Sequence, residues 1–193
     1  MAEPSHRRGR AVLDHVLDTT LAFLAEHGYA FSVDDVARAA GVHKTTIYRR
    51  WPTKAALVGA AAARLAAIEV PDRRTGDPIT DLTRLALDVA RALRTGAGAG
   101  ALRAVLAAAG DDPQIVPVAR RFLTGRYQVA LAIIQAAIDG GRLCDDIDPT
   151  IVWEAIVNPL HMRALLGTPA SDHVCRQLVH LALAGAALEP SPR

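Results

Sequence analysis

A chain of 193 residues, 51% hydrophobic and 4% aromatic, is long enough to bury a core without disulfides. No apolar run approaches the roughly 18 residues that a membrane-spanning helix requires, and Cys144 and Cys175, far apart and outside any CxxC pattern, read as free thiols of a reducing cytoplasm. A net charge of +2 makes no case for a polyanionic partner by its sum: residues 1–55 hold eight Lys or Arg against six Asp or Glu and the remainder holds 14 against 14, so any such case rests on where the charges stand.

Alanine recurs throughout and β-branched runs are short, which favours helix everywhere and predicts an all-α chain of about nine helices without a strand. The first helix is expected over residues 11–27, with Val12, Leu13, Val16, Leu17, Leu21 and Leu24 as its apolar side. Phe31 then precedes Ser32, a good N-cap, and Asp35 stands three residues on, so a capping box and a hydrophobic staple open a short helix from Val33 to about Ala39. Gly41 supplies a tight turn, and residues 43–50 begin another helix at once. With Ile47 as its inward anchor, Trp51 falls on the same side, Thr45 and Arg49 point nearly opposite, and Thr46 and Tyr48 flank them. Thr53 caps a fourth, alanine-rich helix to about Ile68, so Lys54 and the free amides beside it make a positive helix start. Pro71 and the segment PDRRTGD form a polar loop.

Asp77 and Pro78 open a helix to about Thr95, closed by Gly96, and GAGAG reads as flexible. A short helix over residues 101–109 ends at Gly110. Asp112 and Pro113 repeat the cap-proline start of a long stretch to Gly140 and Gly141, which Gly125 kinks or breaks. Asp148 and Pro149 repeat it again, leading to Leu166 with Pro159 inside, where the missing amide leaves the Ala155 carbonyl without its helical donor. Ser171 caps the last helix, residues 172–188.

The exposed set on the helix over residues 43–50 has a definite chemistry. Threonine offers a hydroxyl and a methyl, arginine grips guanine bidentately, and tyrosine stacks its ring while its hydroxyl reaches a phosphate. The block FSVDDVARAAGVHKTTIYRRWPTKAALV resembles the DNA-binding domain of the TetR family of bacterial transcriptional regulators, in its AAGV turn, its K-x-T-[IL]-Y helix, the aromatic at Trp51 and the polar-Lys start at Thr53 and Lys54. The resemblance implies phosphate contacts from Ser32, Tyr48 and Lys54, and a groove-facing set of Lys44, Thr45, Thr46 and Arg49. The chain departs at His43, where the family commonly has a Ser or Thr cap; the loss is about 1 kcal/mol or less. The run DDPQIVPVARRFL, then GRL with an acidic loop and DP, resembles one of the family's C-terminal domains, which implies a homodimer and a ligand cavity. Residues 1–55 are thus expected to form the helix-turn-helix domain, with the fourth helix, 53–68, as link and residues 69–193 as a regulatory and dimerisation domain. The basic N-terminus, MAEPSHRRGR, lacks the apolar core of a signal peptide and reads either as an arm near DNA or as a solvated tail.

For an apolar effector, the candidate walls are Trp153, Asn158, His161 and Met162 near Pro159, with Phe122, Arg126 and Tyr127 opposite; each serves equally well as core or dimer contact. Val174, Leu178, Leu181, Gly185 and Leu188 recur at three- or four-residue spacing and form the candidate dimer stripe. His173, Cys175 and His180 do not converge from one helix, so no metal is expected. With no phosphate loop, HExxH, nucleophile elbow or cofactor motif, the chain reads as a regulator rather than an enzyme, its partners being operator DNA, a second copy and a small effector, with no membrane. The alternatives are a helical dimer that binds a ligand or a protein without reading DNA, or a small helical enzyme.

Overall fold

A computed structural model describes residues 4–66, 75–125 and 127–187, with side chains described from Gly9 on and, in the first segment, as far as Arg64. It contains ten helices and, among these residues, no strand: α1 (Pro4–His27), α2 (Val33–Ala39), α3 (Lys44–Arg50), α4 (Lys54–Ala66), α5 (Pro78–Arg94), α6 (Gly96–Asp111), α7 (Val116–Thr124), α8 (Tyr127–Asp139), α9 (Pro149–Leu165) and α10 (Asp172–Gly185). They form two compact units, one of α1–α4 with α6 and α7, the other of α5 with α8–α10.

In the first unit, α1 packs against α2, α4 and α6, and α7 lies against α4 and α6. One cluster joins Val16 and Leu24 of α1, Phe31 and Val36 around α2, Ile47 of α3, Leu57 and Val58 of α4, and Ala101, Val105 and Ile115 around α6. Arg64 donates to Asp14 Oδ1 at 2.7 Å and to Asp18 Oδ1 at 2.9 Å, tying α4 to α1. These pairs are exposed and worth little singly, so burial of the apolar face carries the packing. The second unit buries Leu82, Leu85 and Val89 of α5, Ile133 and Ile134 of α8, Val152, Trp153, Ile156 and Leu160 of α9, and Cys175, Val179 and Leu183 of α10.

Several boundaries depart from the sequence reading, each for a local reason. α1 begins at Pro4, so residues 4–10 extend the helix instead of preceding it. The GAGAG segment is helical, as the first turns of α6, and Gly100 serves packing: a Cβ on it would lie 2.7 Å from Ala25 Cα. Asp112 caps a turn rather than a helix, its Oδ1 accepting from Gln114 N at 2.9 Å, and α7 starts only at Val116 with Pro117 in its first turn. α7 ends at Thr124, Gly125 is its C-cap, and α8 starts at Tyr127, which brings the number of helices to ten. By contrast Asp77 and Asp148 act as N-caps, accepting from Thr80 N and Thr150 N, and Ser171 accepts from Val174 N. α9 continues through Pro159.

Gly100→Ala is expected to destabilise the protein by about 1–3 kcal/mol, because the new methyl meets backbone rather than a movable side chain and outweighs the roughly 1 kcal/mol that alanine gains in helix propensity. Denaturant unfolding reads the sign; unchanged or raised stability would mean that α1 and α6 separate without cost.

Candidate nucleic-acid interface and effector residues

The reading pair is built by short-range chemistry. Ser32 N donates to Asp35 Oδ2 at 2.9 Å while Asp35 N donates back to Ser32 Oγ at 3.1 Å, closing the capping box of α2. The Ser32 hydroxyl also donates to Asp35 Oδ2, at 2.6 Å, and these bonds hold the Asp35 carboxyl below its ordinary range. Ser32 therefore meets a phosphate only if its proton turns away from Asp35. Gly41 takes a φ of +65°, which suits a residue without Cβ, and Val42 N returns to the carbonyl of Ala37 at 3.0 Å. His43 is the N-cap of α3 and makes no side-chain cap bond, in line with the weakened start that its residue type implies.

On α3, Ile47 is 1% exposed and locks the helix to the core, and Trp51 packs beside it half-buried. Lys44, Thr45, Arg49 and Arg50 are exposed, Tyr48 is 44% exposed, and Thr46 is half-buried at the edge. Lys44 Nζ lies 3.4 Å from Asp34 Oδ2, a solvated pair readily exchanged for another anion. The outward face is thus short, polar and cationic on a helix held by one apolar anchor.

Lys54 is placed less simply than a free helix-start cation. Thr53 Oγ1 accepts from Ala56 N at 3.0 Å, capping α4, while Lys54 Nζ turns inward and donates to the Tyr29 carbonyl at 2.6 Å. The ammonium lies 3.9 Å from the Tyr29 ring centroid and 4.5 Å from that of Phe31. Burial lowers its pKa, and the charge of Asp112 opposes that shift. The Tyr29 hydroxyl donates to Asp112 Oδ2 at 3.4 Å and is pushed up to about 12, first by burial and then by Asp112. The sequence marks Asp112 only as a helix start and does not mark Tyr29: they are 83 positions apart, and folding joins them.

The effector candidates do not form one set. Trp153 is fully buried and His161 is 8% exposed, both on the inward side of α9, whereas Asn158 and Met162 face outward. Trp153 Nε1 and His161 Nδ1 have no hydrogen-bond partner among the described residues. Burial lowers the His161 pKa to about 4, so its imidazole is neutral near pH 7. The Tyr127 hydroxyl donates to Glu154 Oε1 at 3.1 Å, joining α8 to α9, and burial raises it to about 12. Phe122 packs against the core of the first unit, and Arg126 lies outside the described residues.

On α10, Leu181 is 73% exposed, Val174 and Leu178 are half-buried and Gly185 is exposed; Leu188 lies outside the described residues. The outward face of α9 adds Ile151, Met162 and Leu166, all exposed. His173 and His180 are exposed while Cys175 is buried, and among the described residues no three His, Cys, Asp or Glu side chains are grouped to hold a metal. Among these residues no helix is long and apolar enough to cross a membrane.

A capped helix-turn-helix with a cationic face, carried on helices alone, defines a helical DNA-binding protein. Residues 16–61 match the family model of bacterial regulatory proteins of the tetR family, and residues 70–182 match that of the tetracyclin repressor-like C-terminal domain. The chain is 34% identical to the HTH-type transcriptional regulator Rv1556 of Mycobacterium tuberculosis over 82% of its own length and 80% of that protein's. It is 30% identical to the HTH-type transcriptional regulator AqdR of Rhodococcus erythropolis over 96% and 93%. Among solved structures it is similar to the TetR family transcription regulator SCO0332, with a TM-score of 0.67 and 26% identity over 92% of this chain and 99% of that one. The chain belongs to the TetR family: it is a DNA-binding transcriptional regulator, not an enzyme.

Proposed function

We propose that the protein is a homodimeric repressor that reads a near-palindromic operator through α3 and leaves it when a small, largely apolar effector binds the second unit. The observation that carries the reading is the outward set Lys44, Thr45, Tyr48 and Arg49 on a helix whose opposite side is locked by Ile47. Lys44, Thr45, Thr46 and Arg49 face the groove, and Tyr48 and Lys54 face phosphates, with Ser32 beside them. A helix of seven residues offers too little area for tight binding alone, so two copies must dock in successive major grooves about 34 Å apart. The stripe of Val174, Leu178, Leu181 and Gly185, joined by Met162 and Leu166, is an apolar surface that a twofold-related copy covers. Repression is the favoured sign because a bound dimer excludes polymerase without any further contact. Selection of bound genomic fragments tests the reading: inverted half-sites spaced by a whole number of helical turns support it, and recovery of fragments with no common sequence contradicts it.

Trp153 Nε1 and His161 Nδ1 favour release by an effector, since two buried polar atoms without partners suit a neutral molecule that supplies them. Within the first unit, α4 meets α7 across Ala56, Gly59, Ala60 and Val118, beside a cleft of about 360 Å³, and these small residues let α4 tilt. A tilt that alters the separation of the two α3 helices breaks simultaneous docking. The effector must prefer the non-docking form; a tenfold preference supplies only about 1.4 kcal/mol, so a strong switch needs more. With Trp51→Phe leaving Trp153 as the sole tryptophan, small neutral compounds that shift Trp153 emission are expected to lower operator affinity in the same concentration range. Compounds that shift the emission but leave operator affinity unchanged would contradict release.

A further inference from the structure

We propose that Tyr29 and Asp112 are positioning residues for the Lys54 ammonium, and that through them the turn between α6 and α7 sets how firmly the start of α4 grips a DNA phosphate. The inference rests on the reading of Lys54 as a phosphate anchor and adds what holds that anchor. A free lysine at a helix start must give up its rotamer freedom to meet a phosphate. Here part of that freedom is already lost: one Nζ proton is committed to the Tyr29 carbonyl, and the Tyr29 and Phe31 rings flank the ammonium. The remaining protons are left for an acceptor at the DNA surface.

The position of Tyr29 is in turn set from the other end of its ring. Its hydroxyl reaches Asp112 Oδ2 at 3.4 Å, a long bond, while Asp112 Oδ1 is fixed by Gln114 N at 2.9 Å and Asp112 N by the Ala108 carbonyl at 2.8 Å. Asp112 thus belongs to the α6–α7 turn and bears on Lys54 through Tyr29 and through its charge, which favours the ammonium. A shift of that turn slackens the Tyr29 tie and the placement of Lys54 together. No residue of this route contacts a base, so it acts on affinity for all duplexes and not on sequence choice.

The test uses the full-length protein with a selected operator fragment and a random duplex, titrated across about 50 to 200 mM KCl. Lys54→Ala is expected to lower the slope of log affinity against log salt by about one per subunit. Tyr29→Phe keeps the ring and the carbonyl and removes only the tie to Asp112. It is expected to weaken binding about three- to tenfold on both duplexes with the slope unchanged, and to add nothing when combined with Lys54→Ala. Asp112→Ser, whose hydroxyl can still accept from Gln114 N but is too short to reach the Tyr29 hydroxyl, removes both the tie and the charge; it should weaken binding to both duplexes at least as much as Tyr29→Phe does and serves in its place if that variant folds poorly. An unchanged slope for Lys54→Ala overturns the anchor and the positioning with it. A lowered slope for Lys54→Ala with Tyr29→Phe either silent or fully additive leaves the anchor standing and overturns the positioning role.

Discussion

Arg49→Ala is expected to abolish most of the distinction between operator and random DNA. Arg49 is exposed on the face of α3 opposite Ile47, and it pairs with no carboxylate among the described residues, so its guanidinium is available to a base edge. A bidentate contact to guanine discriminates by about 1–3 kcal/mol, and a dimer makes it twice, so the loss on the operator should reach about 2–6 kcal/mol if the half-sites act independently. Random duplexes should lose less, because only one charge per subunit disappears there. Competition titrations with both duplexes at fixed salt read the difference; equal losses on the two would reassign Arg49 to phosphate positioning.

Leu181→Asp should turn a dimer into a folded monomer. The exposure of Leu181, 73% in the single chain, separates assembly from folding: a carboxylate at that site stays in water and disturbs no buried contact. In the dimer, the same carboxylate would be desolvated opposite apolar groups, a cost of several kcal/mol, or more than a hundredfold in dissociation constant. Operator affinity should fall with it, since one α3 cannot hold two grooves. Sedimentation at micromolar concentration together with a thermal melt decides the matter: a monomer that melts like wild type fits the stripe as an interface, whereas a variant that remains dimeric places the interface elsewhere.

The reading pair was legible in the sequence because the forces that build it are local. Ser32 and Asp35 are three residues apart and bond each other, Gly41 supplies the left-handed turn, and the helical period puts Ile47 inside and Arg49 outside. Where tertiary packing decided, local signals misled. Glycines in GAGAG resemble a flexible linker, yet Gly100 lets α6 approach Ala25 closer than any side chain would allow. The pair Asp112 and Pro113 has the same form as Asp77 with Pro78 and Asp148 with Pro149, but its carboxylate serves a turn and Tyr29, a partner that no nearby residue announces.

The effector candidates show a different gap. Closeness to Pro159 groups Trp153, Asn158, His161 and Met162, whereas helical period separates them: Asn158 stands five residues, about 140°, from Trp153 and falls on the outward side with Met162. Of the four candidates on that helix, Trp153 and His161 are buried and Asn158 and Met162 are exposed. The partnerless state of the Trp153 and His161 nitrogens follows from packing across helices and has no sequence signal at all.

The central claim, that α3 reads a DNA sequence, is tested most directly by the affinity ratio of the full-length protein for a fragment selected from genomic DNA over a random duplex of equal length, measured at physiological salt. A ratio of about a thousand or more, collapsing when Arg49 is alanine, is the result expected of a reading helix. A ratio near one, with both affinities falling in parallel as salt rises, would mean that the cationic face of α3 holds phosphates only and would contradict the account.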